Sequence, residues 1–184
     1  IEKVFDSKES IKYAEFGIYK GATALKVHEL FPNSEIHLFD FEKTLNAFKK
    51  NVPIIDNRIR YFSNTQKYND SYNWSLIKLI EERNNKPLFD YCFFDGAHTV
   101  AIDALNFFLA DKLLKVGGYV DFDDYNWKIR GSSLDPDLVP EIAVQYTDEQ
   151  IDSQQVKMIV DLLVKTDNRY KEIVPNKIFK KISN

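Results

Sequence analysis

Apolar and polar residues alternate in short blocks, and the blocks predict strands and helices in turn. Lys12–Phe16 has the pattern of a short strand ending at Gly17, and Thr23–Leu30 has helical periodicity closed by Phe31 and Pro32. Glu35–Phe39 is a second strand, ending in Asp40, and Lys43–Lys50 a second helix. Arg58–Phe62 is a third strand. Tyr72–Arg83 follows as a helix with Trp74, Ile77 and Ile80 on its apolar face. Leu88–Phe94 is nearly all apolar, as a strand buried on both faces should be, and ends at Asp95 and Gly96. Thr99–Leu114 is a long amphipathic helix, Gly117 and Gly118 make a turn, and Tyr119–Phe122 is a strand ending at Asp123 and Asp124.

The pattern then loosens. Trp127–Pro140 holds two prolines, Gly131 and paired serines, the composition of a loop. Gln154–Lys165 is helical, and Tyr170–Val174 and Lys177–Ile182 make a hairpin around Pro175 and Asn176. Five β-α alternations and a closing hairpin predict an α/β fold. It is Rossmann-like and doubly wound, with a mostly parallel seven-stranded sheet and a C-terminal antiparallel hairpin strand.

Composition narrows this. The 184 residues suit one domain spanning 1–184, and 44 % hydrophobic residues can fill a core. A net charge of -3 without a basic stripe argues against nucleic acid as a partner. Lys177, Lys180 and Lys181 are the one basic cluster, with the pattern of a solvated face. Cys92 is the single cysteine, so no intrachain disulfide forms and a cytoplasmic setting is expected. No apolar run has the length of a membrane span, and no membrane partner is expected. The chain begins at Ile1 rather than Met, so residues can be missing ahead of it.

Open α/β sheets bind ligands at the carboxyl ends of their strands. The first such end reads Glu15-Phe16-Gly17-Ile18-Tyr19-Lys20-Gly21. A dinucleotide fingerprint needs glycine where Tyr19 stands, so that backbone can approach a pyrophosphate. S-adenosylmethionine (SAM) lacks a pyrophosphate, and Glu15 is placed to meet its ammonium, directly or through water. An ordinary β-α turn would use the same glycines. Asp40 lies about twenty residues past Gly21, the spacing at which an acid meets ribose hydroxyls, though it could also cap the next helix. Phe41 could cover an adenine face, and Ser63 and Asn64 could reach its edge.

The fourth and fifth strand ends carry Asp95, His98, Asp123 and Asp124. Carboxylates about 5 Å apart repel by roughly 3 kcal/mol per pair at an effective dielectric of ~20, so a divalent cation is expected among Asp95, Asp123 and Asp124. Mg²⁺ suits oxygen ligands, with Mn²⁺ or Ca²⁺ as alternatives. Such an ion could fix an acceptor hydroxyl, and His98 has the chemistry of a general base beside it. Singly, each of these residues could be a cap or a packed side chain. Asp103 could brace His98, and Trp127 and Arg130 are candidate acceptor contacts.

AEFGIYKG at 14–21, FFDGAHT at 93–99 and LLKVGGYVDFDDYNW at 113–127 resemble the macrocin O-methyltransferase-like branch of class I methyltransferases, over roughly residues 10–130. That branch modifies sugars and antibiotics and is often Mg²⁺-dependent. The resemblance implies Asp95, Asp123 and Asp124 as metal positions, also matched by catechol O-methyltransferases, where a lysine takes the place of His98. It implies His98 as the base, with Asp95 beside it in catalysis. The chain departs from the branch in lacking the G-x-G-x-G form of the first motif, and little sequence precedes its first strand. The partner expected is a small hydroxylated acceptor such as a sugar, with a homo-oligomer left open. Two other readings remain: a metal-independent N- or O-methyltransferase, and a non-catalytic nucleotide-binding protein.

Overall fold

The structure is a computed structural model that describes residues 1–6, 9–51 and 57–184. Seven strands form one sheet in the order β3-β2-β1-β4-β5-β7-β6. They are β1 (Lys12–Phe16), β2 (Glu35–Phe41), β3 (Ile59–Asn64), β4 (Phe89–Phe94), β5 (Leu114–Phe122), β6 (Tyr170–Val174) and β7 (Ile178–Lys181). β1 to β5 pair in parallel, and β7 is antiparallel to both β5 and β6, as the hairpin pattern predicted. The order turns back between β1 and β4, where an open sheet leaves a crevice at its carboxyl edge.

An aromatic row locks the register under that crevice. Phe62, Phe39, Phe16, Phe94 and Phe122 come from β3, β2, β1, β4 and β5. Their neighbouring rings are 4.4, 4.8, 5.1 and 4.7 Å apart. Each such pair adds about 0.5–1.5 kcal/mol beyond its buried area, and a one-residue slip would turn a whole strand's set to the other face. Backbone bonding continues past the strands: Gly17 N donates to Phe39 O, Asp95 N to Phe16 O and Asp123 N to Phe94 O, at 2.9, 2.9 and 3.0 Å. The first residues of three loops are thereby held as firmly as the sheet.

Helices cover both faces. On one side α1 (Ala22–Leu30) and α2 (Glu42–Asn51) bury Val27, Leu45 and Phe48 with Tyr13, Leu38 and Tyr91. On the other lie α3 (Tyr72–Glu82), α4 (Leu105–Leu113) and α7 (Gln155–Ile159). Short helices α5 (Glu141–Gln145) and α6 (Asp148–Asp152) follow the expected loop Trp127–Pro140 and precede α7. There Ile129, Ile142 and Ile151 form a small cluster of their own, with Trp127, Val139 and Tyr146 packed against it.

Three local expectations need correction. The buried face of α3 is Tyr72, Leu76, Leu79 and Ile80, at i, i+4, i+7 and i+8, while Trp74 and Ile77 are exposed. The predicted helix 99–114 opens with a π-helical turn at Val100–Ala104, and the helix at 154–165 closes with one at Val160–Val164. Gly117 and Gly118 lie inside β5 rather than in a turn before it. Gly117 has φ +92°, a Cβ on Gly118 would come 3.0 Å from Asp90 O, and the pairing with β4 shifts register here. The glycines make a bulge, not a break. No helix among the described residues is long and apolar enough to cross a membrane.

Candidate functional site

The carboxyl ends of β1, β2, β4 and β5 bring most of the expected residues to one edge of the sheet. Three residues other than glycine and asparagine have left-handed φ among the described residues: Tyr19 (48°), His98 (56°) and Asp124 (56°). All three stand just past a strand in this crevice. Such conformations persist where surrounding structure over-determines them, and they gather at functional sites.

In the turn after β1, Gly17 has φ +84°, and a Cβ on it would lie 2.1 Å from Asp95 O, so only glycine lets the β4 loop cross so closely. The Phe16 ring is wholly buried in the aromatic row, which leaves only its backbone to face a ligand. Tyr19 is exposed, and Gly21, at φ +75°, packs against the Phe48 ring. Asp40 pins this turn. Its Oδ2 accepts from Ile18 N at 2.7 Å and Tyr19 N at 3.3 Å, and its Oδ1 from Phe41 N at 2.6 Å. Phe41 is half exposed, and Asn64 is buried with its Oδ1 unbonded. Beside Asn64 an open depression of about 520 Å³ is lined by Thr65, Lys67, Tyr68, Asn69, Asp70 and Trp74.

Glu15 differs from the expected carboxylate. It is buried and its Oε2 accepts a 2.8 Å bond from the neutral phenol of Tyr13. Burial pushes its pKa up to about 8. The Tyr13 bond opposes that shift, and Asp95 and Asp40 add to it. At neutral pH it is mostly a carboxylic acid that would ionise against a cation.

At the ends of β4 and β5, His98 Nε2 lies 3.3 Å from Asp95 Oδ1 and 3.8 Å from Asp124 Oδ2. One ligand atom from each of the three can be chosen so that all lie within 4.8 Å of one another. Asp123 is not in this group. Lys177, in the turn just before β7, holds Asp123 Oδ1 at 3.0 Å and Asp121 Oδ1 at 3.1 Å. The mutually close ligand atoms thus come from two aspartates and a histidine, with Asp123 paired to Lys177 beside them. Burial and the nearness of Asp123 and Asp95 raise the pKa of Asp124, with His98 and Lys177 opposing. Burial lowers that of His98, but Asp95, Asp103 and Asp124 more than offset it and the net shift is upward.

Among the other candidates, the Trp127 ring lies 5.0 Å from that of His98. Arg130 is paired with Asp152, its Nε 3.2 Å from Asp152 Oδ1. Two contributors have no local signal: Tyr72, whose hydroxyl donates to Asp103 under the His98 loop, and Lys177. Lys177 looked like part of a solvated face because its acids lie more than fifty residues away along the chain.

No family model matches the chain, and no curated protein matches it. Solved structures do. The O-methyltransferase from Bacillus cereus in complex with SAH is 15 % identical, aligns over 92 % of this chain and 72 % of its own, and has a TM-score of 0.60. TomG from Streptomyces achromogenes, an O-methyltransferase involved in tomaymycin synthesis and solved with SAM, is 15 % identical over 95 % and 74 %, with a TM-score of 0.61. MycE, a methyltransferase of the mycinamycin biosynthetic pathway solved with Mg and SAH, is 17 % identical over 94 % of this chain but 45 % of its own, with a TM-score of 0.55. The chain has the fold of these methyltransferases.

Proposed function

We propose that the protein is a SAM-dependent O-methyltransferase, assisted by a divalent cation, that acts on a small hydroxylated acceptor such as a sugar or glycan component. One observation carries this reading: Asp95, His98 and Asp124 converge at the ends of two adjacent strands, on a fold shared with O-methyltransferases. The donor set fits a hard cation. Two carboxylates supply oxygen ligands, and a positive charge between them would offset the burial and the neighbouring charge of Asp123 and Asp95 that together lift Asp124. The Mg in MycE supports the same choice. When bound, the donor supplies a methyl group on a sulfonium, and the cation supplies charge that polarises an acceptor hydroxyl.

The chain's own residues do the rest. Asp95 and Asp124 hold the cation, and Asp123 balances Lys177 behind them. His98, held beside both acids through Nε2, takes the acceptor's hydroxyl proton. Glu15 meets the donor ammonium, directly or through water, giving up its proton as it does so. Gly17 and Gly21 let the turn carrying Phe16 and Tyr19 lie close to the donor, with Asp40 toward the ribose and Phe41 and Asn64 around the adenine. Trp127 walls the acceptor side of His98. All seven strands share one sheet, which supports reading residues 1–184 as one domain.

Calorimetry with SAM, in buffers of differing ionisation enthalpy, tests the donor site. Binding with proton release is expected near pH 7, and no detectable binding overturns the enzyme reading. Turnover that ignores EDTA would overturn the cation's role and leave a metal-independent methyltransferase.

A further inference from the structure

Under the loop that carries Asp95 and His98 lies a buried pair that the proposed reaction does not touch. Tyr72, the first residue of α3, and Asp103, in the π-helical turn, are 6 % and 4 % exposed. The Tyr72 hydroxyl donates to Asp103 Oδ1 and accepts from Ala97 N at 3.3 Å. A Cβ on Gly96 would come 2.6 Å from the same hydroxyl, so the loop backbone rests directly on this side chain. The backbone N–H groups of His98 and Thr99 face the Asp103 carboxyl, and Asp103 N donates to Thr99 O at 2.8 Å. Asn73, next to Tyr72, donates from Nδ2 to Ile102 O at 3.0 Å, tying α3 to the π-helical turn. Gly96, Ala97, His98 and Thr99 are thus each gripped by the pair. The loop needs such a grip, because His98 sits at φ +56°, which a residue with a Cβ does not hold without support.

We infer that Tyr72 and Asp103 are positioning residues that lock the 95–99 loop in the one conformation aiming His98 Nε2 at Asp95 and Asp124. The inference rests on the proposed role of those three residues for its functional meaning, but the lock itself can be measured separately. Groups that orient metal-binding residues typically change metal affinity 10–100-fold when removed. A π-helical turn beside such a loop matches the frequent placement of these turns at functional sites.

The test uses the full chain with Tyr72→Phe, and Tyr170→Phe as a control. Tyr170 bonds a different aspartate, Asp111, at 2.7 Å. Amide hydrogen exchange and the His98 ring resonances report the loop, and Mn²⁺ alone, followed by electron paramagnetic resonance, reports the site. Tyr72→Phe is expected to speed exchange at Ala97 and His98 at least about tenfold, move the His98 ring resonances and weaken Mn²⁺ binding about tenfold. Tyr170→Phe, although it also loses a buried hydrogen bond, should change none of these. Loop exchange and His98 resonances in Tyr72→Phe that match the control overturn the inference. Should Tyr72→Phe fail to fold, Asp103→Asn carries the same readouts. If the wild-type chain takes up no Mn²⁺, the cation reading falls, and exchange with the His98 resonances decides the positioning role by itself.

Discussion

At the end of the sheet where the parallel strands begin, acids have cations against them. Asp111, buried in α4, takes Arg169 at 2.7 Å, Lys181 at 3.0 Å and the Tyr170 hydroxyl at 2.7 Å. Asp90 takes Lys115 at 2.8 Å, and Glu35 takes Lys12 and Arg60 at 3.1 and 2.7 Å. Burial pushes the Asp111 carboxyl up, but these bonds more than offset it and its pKa ends below the ordinary value. At the other end Glu15 and Asp103 are just as buried, yet both are bonded to neutral phenols and both are shifted upward, burial being the largest cause. Asp95 and Asp124 share one histidine. One end is electrically closed and serves stability. The other holds more acids than cations, two of them buried against phenols, which costs stability and leaves room for charged ligands.

The largest expected effect comes from opening the ligand end. His98→Ala should lower methyl transfer about 10²–10⁴-fold, the usual size of a lost general base, with the folded fraction unchanged. The rate would be followed on an acceptor found by screening hydroxylated small molecules, and a fall of less than threefold would remove His98 as the base.

Next comes the closed end. Asp111→Ala leaves Lys181, itself 3 % exposed, without its carboxylate and should destabilise the chain by roughly 3–5 kcal/mol in urea unfolding. A loss below about 1 kcal/mol would show that the two ends do not differ as described.

Smaller and opposite in sign is Glu15→Gln. The folded pKa of about 8 lies above the ordinary 4.5, so between these values the unfolded chain releases a proton that the folded chain keeps. Stability should therefore fall as pH rises through that window, by up to roughly 1.4 kcal/mol per pH unit. Glu15→Gln should flatten the fall and unfold later than wild type at pH 8 while binding SAM more weakly. Asp111 runs the other way: its contribution is present above an ordinary aspartate pKa and is lost as pH falls through its lowered value. Urea titrations at several pH values separate the two slopes, and parallel slopes in wild type and Glu15→Gln would rule out the raised pKa. The smallest effect belongs to an exposed pair. Lys12→Ala breaks its contact with Glu35, yet Arg60 remains and screening is strong, so about 0–1 kcal/mol is expected.

How far the sequence reached can be followed residue by residue. β1 falls on the expected Lys12–Phe16, a short strand-like segment ended by Gly17. The acids at the ends of β4 and β5 were legible because the strand that places them is local. The face of α3 was not, since Trp74 and Ile77 are as apolar as Leu76 and Leu79 and only packing against β3 and α4 chose between them. Glu15 stands at the end of β1 as expected, but its raised pKa was not legible, because depth of burial has no local signature.

By itself, then, the sequence determined the order of strands and helices, the glycine at the crossing of two loops, and which residues stand at each strand's end. These depend on periodicity and sterics acting over a few neighbours. Tertiary structure decided which of those end residues share space. Lys177 pairs with Asp123, His98 joins Asp95 and Asp124, and Tyr72 reaches Asp103 from 31 positions along the chain. Charge and burial act through space, so their outcome is set only when distant segments are packed together.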